Sequence, residues 1–145
     1  MTEQAPSAAA TERRRAWLGA MAIDAAAVLT FVTVGRRDHE AGTTVAGIFG
    51  VAAPFLIGAA AGWLLTPGAR QRPLHWRTGA GVWVATLVGG MLARRFLWDR
   101  GTAPSFVVVT AVVVGALMFG WRALFVLTGR RHEIRSPAPP SKADR

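Results

Sequence analysis

The chain has 145 residues, of which 52% are hydrophobic and 17% charged, and its formal net charge is +9. Such a basic balance is typical of nucleic-acid binding, but the arginines cluster at the ends of apolar stretches and not along one helical face. We therefore expect no nucleic-acid partner. Cysteine is absent, which excludes disulfide bonds, a thiol nucleophile and a thiolate metal site.

Four apolar stretches with few charges divide the chain. They are Ala16 to Gly35, Ala41 to Ala69, Thr78 to Ala93 and Gly101 to Trp121. Each is near or above the roughly 18 to 20 residues that a membrane-spanning helix needs. The second stretch carries no charge on any face from Val45 to Leu65, whereas a soluble helix alternates an apolar stripe with a charged face. The pattern predicts an all-α fold, a four-helix transmembrane bundle.

The expected transmembrane domain covers residues 16–129, with helices at about 16–36, 43–66, 76–98 and 103–128. The third span is the weakest of the four, because its uncharged run covers only about 24 Å at the helical rise per residue. We expect that helix to continue to residue 98, with its arginines extending toward the outer headgroups. The basic segment 1–15 and the proline-rich segment 130–145 are predicted to be disordered tails.

The positive charges on alternate connectors predict the orientation of the bundle. One side would hold eleven: Arg13, Arg14, Arg15, Arg70, Arg72, Arg77, Arg130, Arg131, Arg135, Lys142 and Arg145. The other side would hold five: Arg36, Arg37, Arg94, Arg95 and Arg100. The asymmetry places both termini in the cytoplasm and the chain in the cell membrane. Trp17, Trp63, Trp76 and Trp121 would then lie at the cytoplasmic interface.

Small residues recur every four positions on two of the predicted helices. The second helix carries Ala46, Gly50, Pro54, Gly58 and Gly62, and the third carries Gly81, Ala85, Gly89 and Ala93. In lipid, such residues permit close backbone approach between helices. They fit tight packing within one bundle, and Gly58 with Gly62 also fits the G-x-x-x-G motif of a homodimer face. Pro54 is expected to curve its helix rather than to form a gate.

Asp24 lies within the first predicted span, where a carboxylate costs roughly 2.5 to 3.5 kcal/mol on insertion scales. Arg122 falls at about the same depth on the fourth helix, about 10 Å from the cytoplasmic interface. The first hypothesis is an Asp24–Arg122 ion pair that fixes these helices together. The second makes Asp24 a proton or cation site in a transport path. A third leaves Arg122 extended alone to the cytoplasm and Asp24 protonated.

A second charge site is predicted on the outer side. Arg36 and Arg37 end the first helix, and Arg94 and Arg95 lie near the end of the third. Four guanidinium groups converging there would bind phosphate, a carboxylate or an anionic lipid headgroup. The competing interpretation is neutralisation by the acidic residues of the outer loops. Histidine spacing supports no metal site, and no cofactor is implied.

An internal repeat is an open possibility. The dipeptides Arg36-Arg37 and Gly62-Trp63 recur as Arg94-Arg95 and Gly120-Trp121, each displaced by 58 residues. Little else aligns. A true repeat would relate two helical hairpins by an axis along the membrane normal.

Several of these motifs together resemble a known family. They are Asp24, the segment from Val34 to His39, the segment from Pro54 to Gly58 with Gly62-Trp63, and the segment from Trp76 to Gly79. This combination is similar to a domain-of-unknown-function family of small bacterial and archaeal membrane proteins, over Ala16 to about Gly129. The resemblance implies a four-span integral membrane domain, with Arg94, Arg95 and Gly120-Trp121-Arg122 among the matching positions. It implies no activity.

The function classes that remain are two. No phosphate-binding glycine loop, G-x-S-x-G elbow or H-E-x-x-H helix is present, so we expect no enzyme. A structural or accessory membrane protein, in contact with the bilayer and possible partner or homo-oligomer subunits, is favoured because so few polar residues lie inside the spans. The alternative is a subunit of a small-solute or ion transporter or channel that uses Asp24 and the outer arginines.

Overall fold

The computed structural model describes residues 7–37, 44–97 and 103–135. These residues form four helices and no strands. The helices are α1 (Ala8–Arg37), α2 (Val45–Leu65), α3 (Trp76–Phe96) and α4 (Pro104–Arg135). The predicted all-α class is therefore confirmed.

Helix α1 begins earlier than the sequence pattern predicted. Residues Ala8–Arg15 were expected to belong to a disordered tail, but they form the first two turns of α1. Alanine and arginine are strong helix formers, and the Ser7 hydroxyl accepts a hydrogen bond from the Ala10 backbone N–H at 3.4 Å, which caps the new start. Helix α4 likewise extends to Arg135 instead of ending near residue 128.

The four helices are arranged in an up-and-down bundle. Helix α1 packs on α2 and α4, and α3 packs on the same two helices. Neighbouring helices run antiparallel, because residues near the end of one contact residues near the start of the next. For example, the Phe31 ring of α1 lies 6.3 Å from the Phe106 ring of α4. This order brings the end of α2 beside the first half of α1 and places the start of α3 at the same end of the bundle.

Three of the helices are long and apolar enough to cross a membrane: Ala8–Arg36, Val45–Leu65 and Pro104–Gly129. Helix α3 has 21 residues, like α2, but Arg77, Arg94 and Arg95 lower its hydropathy. Many large apolar side chains are exposed on the outside of the bundle, among them Val34, Phe49, Leu64, Val88, Val108, Val112, Leu124 and Leu127. Such an outer surface is suited to lipid and not to water.

Glycines bring α2 and α3 together. A Cβ added to Gly58 would lie 2.8 Å from the Ala85 carbonyl oxygen, and one added to Gly62 would lie 2.8 Å from the Val82 Cα. A Cβ on Gly89 would lie 3.1 Å from the Gly58 Cα. These distances leave no room for a side chain. The predicted small-residue faces therefore pack on each other within one chain, and α3 occupies the face that the homodimer hypothesis required.

Two further positions of the predicted faces behave differently. A Cβ on Gly50 would meet nothing within 4 Å, so Gly50 lies outside the α2–α3 contact. A Cβ on Gly81 would lie 2.5 Å from the hydroxyl of Thr66, the C-cap residue of α2. Pro54 is buried inside α2, which remains one continuous helix around it.

Candidate functional site

Asp24 lies in the middle of α1 and faces the centre of the bundle. Its side chain is completely buried, with 0% of its surface exposed. On the same helix, Ala20, Ala27, Val28 and Phe31 are also buried, so Asp24 is the single buried charge among the described side chains of α1. An isolated carboxylate there would carry a large desolvation cost, and its partners determine what the site can do.

Arg122 of α4 forms a two-pronged ion pair with Asp24. Its Nη1 donates to Asp24 Oδ1 at 2.8 Å, and its Nη2 donates to Asp24 Oδ2 at 2.7 Å. Arg122 is itself only 3% exposed. Paired, parallel N–H to oxygen bonds of this kind are the strongest form of carboxylate recognition by arginine. The structure therefore brings the two sequence-predicted residues together, and Arg122 does not extend alone toward the surface.

Two tryptophans complete the hydrogen bonding of the carboxylate. The indole N–H of Trp63, on α2, donates to Oδ2 at 3.1 Å, and that of Trp121, on α4, donates to Oδ1 at 2.9 Å. Each carboxylate oxygen of Asp24 thus accepts one guanidinium and one indole hydrogen bond. Because these donors come from two other helices, Asp24 joins α1 to both α2 and α4.

The guanidinium of Arg122 is also held on its other sides. Its Nη1 donates to the Met118 carbonyl oxygen at 2.8 Å, and its Nε donates to the Pro73 carbonyl oxygen at 3.4 Å. Its central carbon lies 4.5 Å from the centre of the Trp121 ring, a cation–π distance. Gly79 of α3 makes room for it, since a Cβ there would lie 3.2 Å from Arg122 Cδ. The polar centre, defined as Asp24, Trp63, Trp121 and Arg122, therefore touches all four helices.

This geometry neutralises the buried charge of Asp24 with that of Arg122. A buried ion pair stabilises only when additional hydrogen bonds satisfy its remaining donors and acceptors, and a fully connected polar network is more rigid than a partly connected one. In the polar centre, hydrogen bonds from four donors reach the carboxylate. Such a carboxylate is suited to fixing helices and is poorly placed to exchange ligands.

The roles of Trp63 and Trp121 were not predicted. Sequence reasoning assigned both to the interfacial belt, but Trp63 is only 2% exposed and cannot be a surface anchor. The sequence signal that could have identified them is the Gly-Trp dipeptide, which occurs twice at a separation of 58 residues. It suggests that the two tryptophans have equivalent roles, and both do donate to the same carboxylate. The position displaced by 58 residues from Asp24 is Val82, so the acid itself has no counterpart.

The predicted outer arginines lie at the opposite end of the bundle. Arg36 approaches the start of α2, where a Cβ on Gly47 would lie 2.7 Å from Arg36 Nη2. The guanidinium carbon of Arg94 lies 4.7 Å from the centre of the Phe106 ring on α4. Arg95 lies in the last turn of α3, and the Arg37 side chain falls outside the described part. A shared anion site formed by the four remains a prediction.

In the residues that the structure describes, no group of three or more histidine, aspartate, glutamate or cysteine side chains is arranged to hold a metal ion. His39, for which the sequence predicted no metal site, lies outside the described residues. Among the described carboxylates, only Asp24 is within the bundle.

Comparison with known proteins places the polar centre within one family. No curated protein and no solved structure matches the chain. The model of a family described as a protein of unknown function, DUF3054, matches residues 21–125. That stretch includes every residue of the polar centre, and the resemblance to an uncharacterised family is confirmed. The chain belongs to the DUF3054 family.

Proposed function

We propose that the protein is an integral membrane protein whose four helices all cross the cell membrane, and that it is a structural or accessory component without enzymatic activity. Three helices meet the length and composition of a span. Helix α3, with 21 residues, is about 32 Å long at 1.5 Å per residue, which is enough to cross the hydrocarbon core. Its close packing on α2 supports placing it at the same depth.

The observation that carries this proposal is the hydrogen bonding of the Asp24 carboxylate, whose two oxygens accept four hydrogen bonds. A proton or cation site in a transport path must release and rebind its ligand, so its carboxylate needs access to water or to a mobile partner. Asp24 is 0% exposed, and it accepts hydrogen bonds from Trp63, Trp121 and both terminal nitrogens of Arg122. The arrangement favours a packing role. The exposed apolar outer surface is then the part that contacts lipid, a second copy or a membrane partner.

The proposed orientation places both termini and the α2–α3 connection in the cytoplasm. Eleven lysines and arginines lie on that side and five on the other, and the side richer in positive charge near the membrane is normally cytoplasmic. Because the chain has no cysteine, single cysteines report orientation directly. In intact cells, a membrane-impermeant maleimide should label Thr44→Cys and leave Gln71→Cys unlabelled until the cells are permeabilised. The reverse pattern would invert the proposed topology.

Substitution of Asp24 by Asn tests the packing role. The variant keeps the shape of the side chain but leaves the buried Arg122 guanidinium without a counter-charge, which costs about 3 to 5 kcal/mol in buried pairs. We expect the free energy of unfolding, measured by SDS titration in detergent micelles, to fall by about that amount. Proteoliposomes containing the wild-type protein should show the same proton leak, followed with a pH-sensitive dye, and the same cation leak, followed with a cation-sensitive dye, as empty vesicles.

A double variant distinguishes loss of the ion pair from the cost of leaving one charge buried alone. Asp24→Leu with Arg122→Met removes both charges, and such replacements are often neutral to stabilising relative to the buried pair. Here the two indole N–H groups would lose their acceptor, so we expect the double variant to be more stable than Asp24→Asn but less stable than wild type. A wild-type proton or cation flux that Asp24→Asn abolishes without lowering stability would overturn the proposal in favour of transport.

A further inference from the structure

Two clefts open at the end of the bundle where α1 begins, α2 ends and α3 begins. The smaller, of about 340 Å³, is lined by Ala10, Arg13, Arg14, Trp17, Arg70 and Gln71. The larger, of about 600 Å³, is lined mainly by the connection between α2 and α3, including Arg72, and by Arg77 of α3. Gln71 lines both. The two clefts are therefore adjacent, and together we call them the basic groove, whose lining residues include none of the polar centre.

The charged side chains that line the groove are all arginines. Arg13, Arg14 and Arg70 contribute to the smaller cleft, and Arg72 and Arg77 contribute to the larger one, while no acidic residue from the described part of the chain lines either. Guanidinium groups bind phosphate oxygens through forked hydrogen bonds. A groove lined by several of them without a counter-charge is suited to an anion.

Hydrogen bonds hold the connection between α2 and α3 in a defined shape. The Ala69 and Gln71 backbone N–H groups donate to the Thr66 and Gly68 carbonyl oxygens at 3.2 and 3.1 Å. Ala69 is almost fully buried beside the exposed Arg70. From the inside, Arg122 donates to the Pro73 carbonyl oxygen. The backbone that carries Arg70 is therefore pre-organised before any ligand arrives, which reduces the entropy lost on binding.

Tryptophan side chains place the groove at the membrane interface. The Arg70 guanidinium carbon lies 5.1 Å from the centre of the Trp17 ring, and that of Arg77 lies 5.4 Å from the centre of the Trp76 ring. Tryptophans of this kind sit at headgroup depth. The Trp17 indole N–H is enclosed and has no hydrogen-bond acceptor among the described residues. Because Trp17 lines the smaller cleft, that cleft lies at headgroup depth.

We propose that the smaller cleft binds the phosphate group of an anionic phospholipid through Arg13, Arg14 and Arg70, with the lipid chains lying against the apolar outer surface of α1. The inference rests on the membrane placement proposed above. It does not depend on the packing role of Asp24, which is measured separately through unfolding. The headgroup beyond the phosphate would extend toward Gln71 and the larger cleft.

A general attraction between basic residues and anionic membranes is the competing explanation, and Arg15 separates the two. Arg15 lies on α1 next to Arg14, is exposed and lines neither cleft. The substitutions Arg70→Gln and Arg15→Gln remove one positive charge each from the same end of the protein. A general field would weaken equally in both variants, whereas a defined site would lose affinity only in the first.

The experiment titrates phosphatidylglycerol into the purified protein in zwitterionic nanodiscs at physiological salt and counts bound lipids by native mass spectrometry. We expect Arg70→Gln to lower the affinity about tenfold, because it removes a charge-assisted contact to phosphate, and Arg15→Gln to lower it no more than about twofold. Both variants should retain the helix content and elution volume of wild type. Equal losses in the two variants, or no loss in either, would overturn the proposal.

A second arm identifies the source of the phosphate. Inorganic phosphate and glycerol 3-phosphate are added in place of the lipid to the wild-type protein, and the binding of each is counted by the same native mass spectrometry, so that Trp63 and Trp121 of the polar centre stay intact. A lipid site should respond to phosphatidylglycerol at concentrations far below those of either soluble anion. An equal response to inorganic phosphate would show that a soluble anion is the ligand and would overturn the assignment to lipid.

Discussion

The contact between α2 and α3 and the contact between α1 and α4 hold their helices together by different means. Between α2 and α3, the backbones approach until a Cβ on Gly58 would lie within 2.9 Å of three backbone atoms of α3. Between α1 and α4, the side chains of Asp24 and Arg122 bridge the gap with bonds of 2.7 and 2.8 Å. The α2–α3 contact depends on glycines, which have no side chain, and the α1–α4 contact depends on charged side chains.

This difference follows from the solvent. Lipid chains are as apolar as leucine, so apolar side chains gain little by leaving them, and helices associate through close packing or through polar groups that lipid cannot satisfy. On the α2–α3 side, the buried Thr86 hydroxyl donates to the Val82 carbonyl of its own helix at 2.7 Å and adds nothing between helices. We therefore expect the α2–α3 contact to be sensitive to volume and the α1–α4 contact to charge and hydrogen bonding.

Gly58→Leu should break the volume-dependent contact. The new side chain would meet the Ala85 and Thr86 carbonyl oxygens and the Gly90 nitrogen at 2.8 to 2.9 Å from its Cβ alone. Backbone atoms in a helix cannot turn away as a flexible side chain can. Overpacking a well-packed contact typically costs 1 to 3 kcal/mol, and we expect about 3 kcal/mol or more here, measured by SDS titration.

The matched control is Gly50→Leu, on the same helix. A Cβ at Gly50 meets nothing within 4 Å, and leucine is a better helix former than glycine by somewhat less than about 1 kcal/mol. Gly50→Leu should therefore leave the stability unchanged or slightly raised. If both variants lose the same free energy, glycine acts through helix flexibility and the close approach of α2 to α3 is not what stabilises the bundle.

Much of the fold could be predicted because its signals are local. Both main signals can be read from the residues of one helix. They are the absence of charge from Val45 to Leu65 and the four-residue spacing of Gly58 and Gly62. The start of α1 was missed because a serine cap and an alanine-rich turn were outweighed by the polar composition of the first residues. Family membership was predicted from scattered motifs and is confirmed by the match over residues 21–125.

The polar centre could be predicted only in part. Asp24 and Arg122 stand out because charges are rare inside apolar segments, and their matching depth follows from counting along two helices. Trp63 and Trp121 do not stand out, since tryptophan at a helix end is usually interfacial. Which way an indole N–H points depends on the rotation of each helix about its axis. That rotation is set by contacts such as Gly62 against Val82, which no single segment reveals.

Removal of each indole donor should weaken the charged contact less than removal of the charge does. Trp63→Phe deletes the N–H that reaches Asp24 Oδ2. Because Trp63 is only 2% exposed, the smaller phenylalanine ring also leaves a cavity. Trp121→Phe deletes the N–H that reaches Oδ1 but keeps an aromatic face for the Arg122 guanidinium. Hydrogen bonds to charged groups contribute about 1.5 to 3 kcal/mol. We expect losses near the upper value for Trp63→Phe and near the lower value for Trp121→Phe, measured by SDS titration.

Trp76→Phe is the control for both, because Trp76 is 63% exposed and should change the free energy of unfolding by less than about 0.5 kcal/mol. The decisive comparison is made in the Asp24→Leu, Arg122→Met background. There the indole groups have no carboxylate to bind, so Trp121→Phe should cost nothing further and should recover part of the stability lost to an unsatisfied buried N–H. An undiminished cost in that background would show that Trp121 stabilises the bundle by packing alone, and the four-donor description of Asp24 would then not explain the α1–α4 contact.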